Sequence, residues 1–284
     1  MIMYVSKKEL IEVFEDTENF YESDETLKKS IEETINKTKV YIEGEEIKLP
    51  ESKDVEAVIS VGKYRTFETA QYYHKKFSDQ KIAVLNFASA TNPGGGVKLG
   101  SHAQEESLCR CSTLYPSLAN ENLWKKYYEF HRKRHDIRYT DSCIYTPDIL
   151  VIKSDTDNPQ RLPQEKWIKV DLITCAAPNL RFNPNNKMNP GNDKYIYVSN
   201  DELFDLHISR AKQILSVAAV NGVDILILGA FGCGAFQNDP STVAKAYAEV
   251  IPQFKNHFNE IAFAIYCTPG RGNQNFTAFK KVFG

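Results

Sequence analysis

The chain has 284 residues, 42% hydrophobic and 25% charged, the balance of an ordinary globular protein rather than a disordered or membrane-embedded one. Lys and Arg number 35 against 37 Asp and Glu, a formal charge of −2. No bulk positive field therefore exists to bind DNA or anionic lipid, and an anionic ligand must be held by a local site.

Residues 1–55 mix charge into every turn and place Leu10, Ile11, Phe14 and Leu27, Ile31, Ile35 at helical spacing. Short amphipathic helices and a polar hairpin are expected, forming an N-terminal helical extension. Without an apolar signal core a cytoplasmic location is expected, or a nuclear one in a eukaryote. Residues 56–284 then alternate short apolar runs (56–61, 82–87, 149–152, 169–174, 224–229, 261–266) with helix candidates (66–79, 105–117, 121–135, 201–220, 241–257, 273–282). That alternation predicts a three-layer α/β/α sandwich with a mixed, largely parallel sheet. Stretches 153–168 and 181–198 read as loops. The cluster His131-Arg132-Lys133-Arg134-His135 reads as a solvated helix face, with a nuclear address or a phosphate patch as alternatives. Six cysteines lack zinc spacing and read as reduced thiols; six histidines show no ligand pair, so no metal or cofactor is expected, and His102 reads as a surface or packing residue.

Two loops carry the chemistry. In the first, the run Leu85-Asn-Phe-Ala-Ser-Ala-Thr-Asn-Pro-Gly-Gly-Gly-Val97 ends a strand in three glycines. Such a turn either cradles an anion with its N–H groups or is a flexible hairpin. Neither a P-loop nor a dinucleotide fingerprint fits, since no Gly-Lys-Ser/Thr follows and position 99 is Leu. In the second, Leu226 to Pro240, a strand runs into Gly232-Cys233-Gly234-Ala235-Phe236, ahead of a helix capped by Asp239, a favourable place for phosphate. Between the loops in sequence, Gln104, Glu105 and Glu106 open a helix, where carboxylates serve either as caps worth ~0.3–1 kcal/mol or as reacting groups.

The combination of Gly94-Gly95-Gly96 with Gln104-Glu105-Glu106 resembles the signature of poly(ADP-ribose) glycohydrolases. The flanking Asn-Phe-Ala-Ser-Ala-Thr-Asn-Pro, Gly-Ala-Phe-Gly-Cys-Gly-Ala-Phe-Gln-Asn-Asp-Pro and Asp171-Leu-Ile-Thr-Cys-Ala-Ala-Pro-Asn179 are similar to the bacterial and fungal branch, over roughly residues 55–284. The resemblance implies a macrodomain-type fold and cleavage of the ribose–ribose O-glycosidic bond. It makes Glu106 the general acid and Glu105 the holder of ribose hydroxyls. It places Gly94, Gly95, Gly96 and Val97 on one side of the diphosphate and Gly232, Cys233, Gly234 and Ala235 on the other, with Phe236 against a ribose, Asn92 near the scissile ribose and Gln104 in the substrate site. Poly(ADP-ribose) or an ADP-ribosylated protein is then the partner and ADP-ribose the product, with no DNA, no membrane and a monomeric enzyme. An N-terminal segment covering the adenosine ribose would make the enzyme exo-acting. A non-catalytic ADP-ribose reader and a mono-ADP-ribosyl hydrolase are the alternatives.

Overall fold

The computed structural model describes residues 5–191, 194–268, 270 and 272–284. Seven strands form one sheet: β1 (Lys39–Tyr41), β2 (Val58–Gly62), β3 (Ile82–Phe87), β4 (Cys143–Val151), β5 (Ile168–Cys175), β6 (Ile225–Leu228) and β7 (Glu260–Ala264), in the order β1-β4-β5-β3-β6-β7-β2. From β5 to β2 all neighbours pair in parallel, while β4 and β1 add antiparallel pairs at one edge. The mixed, largely parallel sheet expected from the sequence is what forms.

Successive buried residues of a strand point to opposite faces, and here they separate into two cores. Ala83, Leu85, Leu226 and Leu228 pack in one, Ile82, Val84, Ile225 and Ile227 in the other. The first core is covered by helices α8 (Asn200–Val220), α9 (Pro240–Val250) and α10 (Asn273–Phe283). On the other face lie α3 (Thr66–Lys76), α4 (Gln104–Cys111), α5 (Leu114–Leu118), and the run α6 (Glu121–Leu123), a π-helical turn (Trp124–Tyr128) and α7 (Glu129–Arg134). The single helix predicted over 121–135 thus contains a wide turn, across which Arg132 lays its guanidinium over Trp124 at 4.5 Å.

The first fifty residues form α1 (Lys7–Ser23), α2 (Glu25–Lys37) and β1. Ser6 and Glu9 close a capping box at the start of α1, and Asp24 caps α2. Leu10, Phe14, Thr17 and Tyr21 face inward at helical spacing. Phe14 enters the second core, edge-on to Tyr115 at 5.1 Å. The buried Lys153 reaches out to α1, donating to the Val13 carbonyl at 2.7 Å and pairing with Asp16 at 2.7 Å. In place of the expected polar hairpin, β1 pairs with β4, about a hundred residues away in sequence. β4 also begins six residues earlier than the apolar run suggests. Its middle holds a register shift between Thr146 and Ile149, with Asp148 at φ +58°, so polar residues interrupt an otherwise buried strand.

Candidate active site

A cleft of about 890 Å³ opens at the ends of the parallel strands, where open α/β sheets bind ligands. Its walls come from the end of β3, the start of α4, segment 181–189, the loop after β6 and the residues between β7 and α10.

Glu105 and Glu106 sit side by side in it, 2% and 6% exposed. Burial of this kind requires partners, and the first glycine loop supplies them. The Ser89 N–H donates to Oε2 of Glu105 at 2.8 Å and Nδ2 of Asn86 to its Oε1 at 3.3 Å. The Gly96 N–H donates to Oε1 of Glu106 at 2.8 Å. Oε2 of Glu106 is buried and has no partner. Burial raises the pKa of both carboxyls, and the charge of Glu106 raises Glu105 further. The donors on both oxygens of Glu105 oppose these effects, whereas Oε2 of Glu106 is left without a donor.

The first loop was expected to form one wall of a diphosphate cradle, and several of its amides are engaged within the protein. The Gly95 N–H is bound to the Asn92 carbonyl at 2.9 Å, that of Gly96 to Glu106 and that of Val97 to the Gly94 carbonyl at 3.2 Å. Only Gly95 of the four lines the cleft, while Val97 is buried in the second core. The loop holds the carboxylates rather than offering free amides. Gly95 is obligatory there: at φ +58° a Cβ would stand 2.6 Å from Oε1 of Glu106 and 3.0 Å from Oε2 of Glu105. Asn92 likewise turns away from the cleft, its amide donating to the Gly95 carbonyl within the loop. Gln104 lines the cleft but is committed to β3: its amide accepts from the Phe87 N–H and donates to the Leu85 carbonyl, both at 2.8 Å. It therefore locks α4, and with it Glu105 and Glu106, to the strand.

Gly232, Cys233, Gly234, Ala235 and Phe236 all line the cleft. The Cys233 N–H is used by the Ala230 carbonyl, whereas those of Gly234, Ala235 and Phe236 have no partner among the described residues. Gly232 adopts φ +76°, and a Cβ there would meet Ala177 at 2.6 Å. Asn238 anchors the loop by donating to the Pro178 carbonyl at 2.7 Å while accepting from His207 at 2.7 Å. Asp239 caps α9 through the Thr242 N–H at 2.7 Å. Amides without a protein partner shortly before a helix start are groups of the kind that hold anions.

Several residues that sequence reasoning passed over complete the site. Arg181 brings a cation into the cleft, 5.3 Å from the Phe236 ring centroid and oriented by Asn179 at 2.9 Å. Asn189 ties the loop that carries it to the carboxylates. Its Oδ1 accepts from Ser89 at 2.9 Å and Thr91 at 3.2 Å, and its Nδ2 donates to the Tyr139 hydroxyl at 3.0 Å. Asn86, a polar residue inside an apolar strand, was the one detectable signal; Arg181 looks in sequence like any surface arginine. The basic cluster 131–135 is structural in part. His131 is buried, its ring nitrogens engaged by the Tyr127 carbonyl and Thr140, and Arg132 donates to the Thr91 carbonyl at 2.7 Å. No group of three or more His, Cys, Asp or Glu could hold a metal among the described residues.

A largely parallel α/β sheet with unbonded loop amides and two buried carboxyls lining one cleft at its strand ends is the architecture of an α/β enzyme. Comparison with known proteins narrows this class. The description "Microbial-type PARG, catalytic domain" matches residues 8–154, and the chain belongs to that family. The poly(ADP-ribose) glycohydrolase of Thermomonospora curvata is 29% identical, with 96% of this chain covered, 99% of that chain covered and a TM-score of 0.79. Its form bound to the inhibitor ADP-HPD gives 29% identity, 96% and 98% coverage and 0.78. The Deinococcus radiodurans enzyme in complex with ADP-ribose is 30% identical over 88% of this chain and 96% of that one, with a TM-score of 0.74. No curated protein sequence matches. The family match begins inside α1, so the N-terminal helices fall within it.

Proposed function

We propose that this protein hydrolyses the ribose–ribose O-glycosidic bonds of poly(ADP-ribose), releasing ADP-ribose from chain ends, with Glu106 as general acid. The observation that carries the reading is the asymmetry of the Glu106 carboxyl. One oxygen is fixed by the Gly96 N–H and the other is buried and unpartnered, in a residue that lines the cleft together with Gly234, Ala235 and Phe236. The Oε2 proton passes to the leaving ribose oxygen as the C–O bond breaks. The resulting carboxylate faces the oxocarbenium-like centre, then takes a proton from the water that attacks it, which restores the acid. Glu105 accepts from ribose hydroxyls, and the Gly234 to Phe236 amides with Arg181 hold the diphosphate.

Exo action is supported by Val5 and Leu10, which bring the N-terminal segment to the wall of the cleft. In this reading the fold is a macrodomain, residues 1–55 extend a catalytic domain of residues 56–284, and the enzyme works as a cytoplasmic monomer on polymer or on ADP-ribosylated protein. Six unpaired thiols fit a reducing compartment. A reader of ADP-ribose would gain nothing from two buried carboxyls next to a diphosphate.

The test is ADP-ribose release from poly(ADP-ribose) by wild type and Glu106→Gln, with ADP-ribose binding by calorimetry. Turnover lost with binding retained supports the assignment; binding without turnover in the wild type makes the protein a reader or a hydrolase of another linkage. Long oligomers released early from internally labelled polymer would exclude exo action.

A further inference from the structure

Residues 181–191 and 194–197 carry more aromatic surface than folding explains. Phe182 is 78% exposed, Tyr195 48% and Tyr197 76%. Rings left in water at this density are unusual on a folded surface. Phe182 and Tyr195 are already paired, with centroids 5.9 Å apart and planes at 42°.

The segment is fixed to the catalytic end of the cleft. Arg181, next to Phe182, lines the cleft beside Phe236. Met188 covers Gly96, where an added Cβ would meet its Cγ at 2.8 Å, and accepts from the Ser101 hydroxyl at 2.8 Å. Gly96 is the residue that holds Glu106. Asn189 then fastens the segment to Ser89 and Thr91, and the Gly191 carbonyl meets His135 at 2.5 Å. The aromatic rings therefore stand on a rim anchored within a few residues of the proton donor. Exposed lysines, Lys187 and Lys194, flank them, and the neighbouring α7 ends in Lys133 and Arg134.

We propose that Phe182, Tyr195 and Tyr197 form a stacking platform for the adenine of the ADP-ribose unit on the leaving-group side of the scissile bond. This rests on the polymer-hydrolysing reading above. The terminal unit fills the cleft, with its diphosphate on the Gly234 to Phe236 amides. The leaving group is then the ribose of the next unit, which departs on the side of Glu106, where Met188 also lines the cleft. That unit carries one adenine ring and two phosphates. Aromatic faces accept any base in stacking, and cations beside them track the backbone, the arrangement used for single-stranded nucleic acids. Two paired rings and a third nearby, with lysines around them, are complementary to both parts.

The experiment compares ADP-ribose with defined oligo(ADP-ribose) of two to ten units, using wild type and the triple variant Phe182→Ala/Tyr195→Ala/Tyr197→Ala. Binding is measured in a Glu106→Gln background and turnover in the active enzyme. The platform predicts that oligomers bind wild type more tightly than ADP-ribose does. It predicts that the triple variant loses at least about fivefold of that advantage, with KM for polymer rising in parallel and kcat and ADP-ribose affinity unchanged. Tyr195→Phe/Tyr197→Phe should behave as wild type, because stacking needs the ring and not the hydroxyl. An unchanged oligomer advantage in the triple variant overturns the proposal, as does loss of ADP-ribose affinity to the same extent. Absence of polymer turnover in the wild type would instead count against the glycohydrolase reading, which the binding comparison does not require.

Discussion

The main-chain N–H of Gly96 donates to Oε1 of Glu106 at 2.8 Å, across ten residues of chain that turn back on themselves. A backbone donor cannot rotate away, so one carboxyl oxygen is fixed and the other is left without a donor. Glu106→Gln keeps the size and the Gly96 bond but removes the acid. Turnover of polymer should fall by at least about a thousandfold, towards the upper part of the usual range for one general acid because the same group also serves as base. Calorimetry should show ADP-ribose affinity within about threefold of wild type. A variant retaining a tenth of wild-type activity would remove Glu106 from the mechanism.

Gly95 is where the loop and the two carboxylates come closest. In Gly95→Ala the methyl group would collide with both glutamates while forcing a side chain into φ +58°. A fall in kcat of about a hundredfold or more should accompany a drop of several degrees in Tm, read by differential scanning calorimetry.

The two glycines of the second loop should separate. Gly234 has open space around its Cα and does not need positive φ, so Gly234→Ala should bind ADP-ribose much as wild type does, the N–H being retained. Gly232→Ala would press on Ala177 and Asn238 in a left-handed turn and should weaken binding at least about tenfold. Equal effects at both positions in a titration with ADP-ribose would show that the loop does not work as described.

The glutamate pair also sets a pH dependence of stability. Both folded-state pKa values lie above the ordinary carboxylate value. Above the unfolded pKa the native state therefore binds more protons than the unfolded one, and ∂ΔG/∂pH is negative. The stabilisation is complete at and below about pH 4.5 and is lost as pH rises through the folded values. Urea denaturation of wild type, corrected by the curve for Glu105→Gln/Glu106→Gln, should show this decline. In the same pH range kcat should fall as the acid is lost. A corrected stability that rises with pH would contradict the burial argument.

Lys153 is 1% exposed and its main ionic partner is Asp16 of α1, itself 47% exposed. Asp16→Ala leaves a buried cation held by the Val13 carbonyl and should cost about 2 kcal/mol, less than a fully buried pair because Asp16 is partly in water. Since Thr17 of the same helix donates to the Arg110 carbonyl in α4 at 2.7 Å, the loss should be cooperative with the whole fold. A separate early transition in chemical denaturation would show instead that α1 is an independent appendage.

The sequence by itself determined the elements whose pattern is local. The apolar runs at 82–87 and 224–229, the helix at 201–220 and the Asp239-Pro240 start of α9 are set by periodicity and capping, and they form within a residue of those bounds, as β3, β6, α8 and α9. It also marked Glu105, Glu106 and both glycine loops, because three glycines and adjacent carboxylates in an apolar context are costly unless used. What each group does was decided only by the tertiary structure. Whether the N–H groups of Gly95 and Gly96 face a ligand or the protein depends on α4 being drawn against β3 by Gln104, a contact of residues remote from the loop. The same holds for Arg181 and Asn189, and for β1, which becomes a strand only because β4 offers an open edge. Hydrogen-bond partners and burial are properties of residues brought together from distant parts of the chain, and no local spacing encodes them.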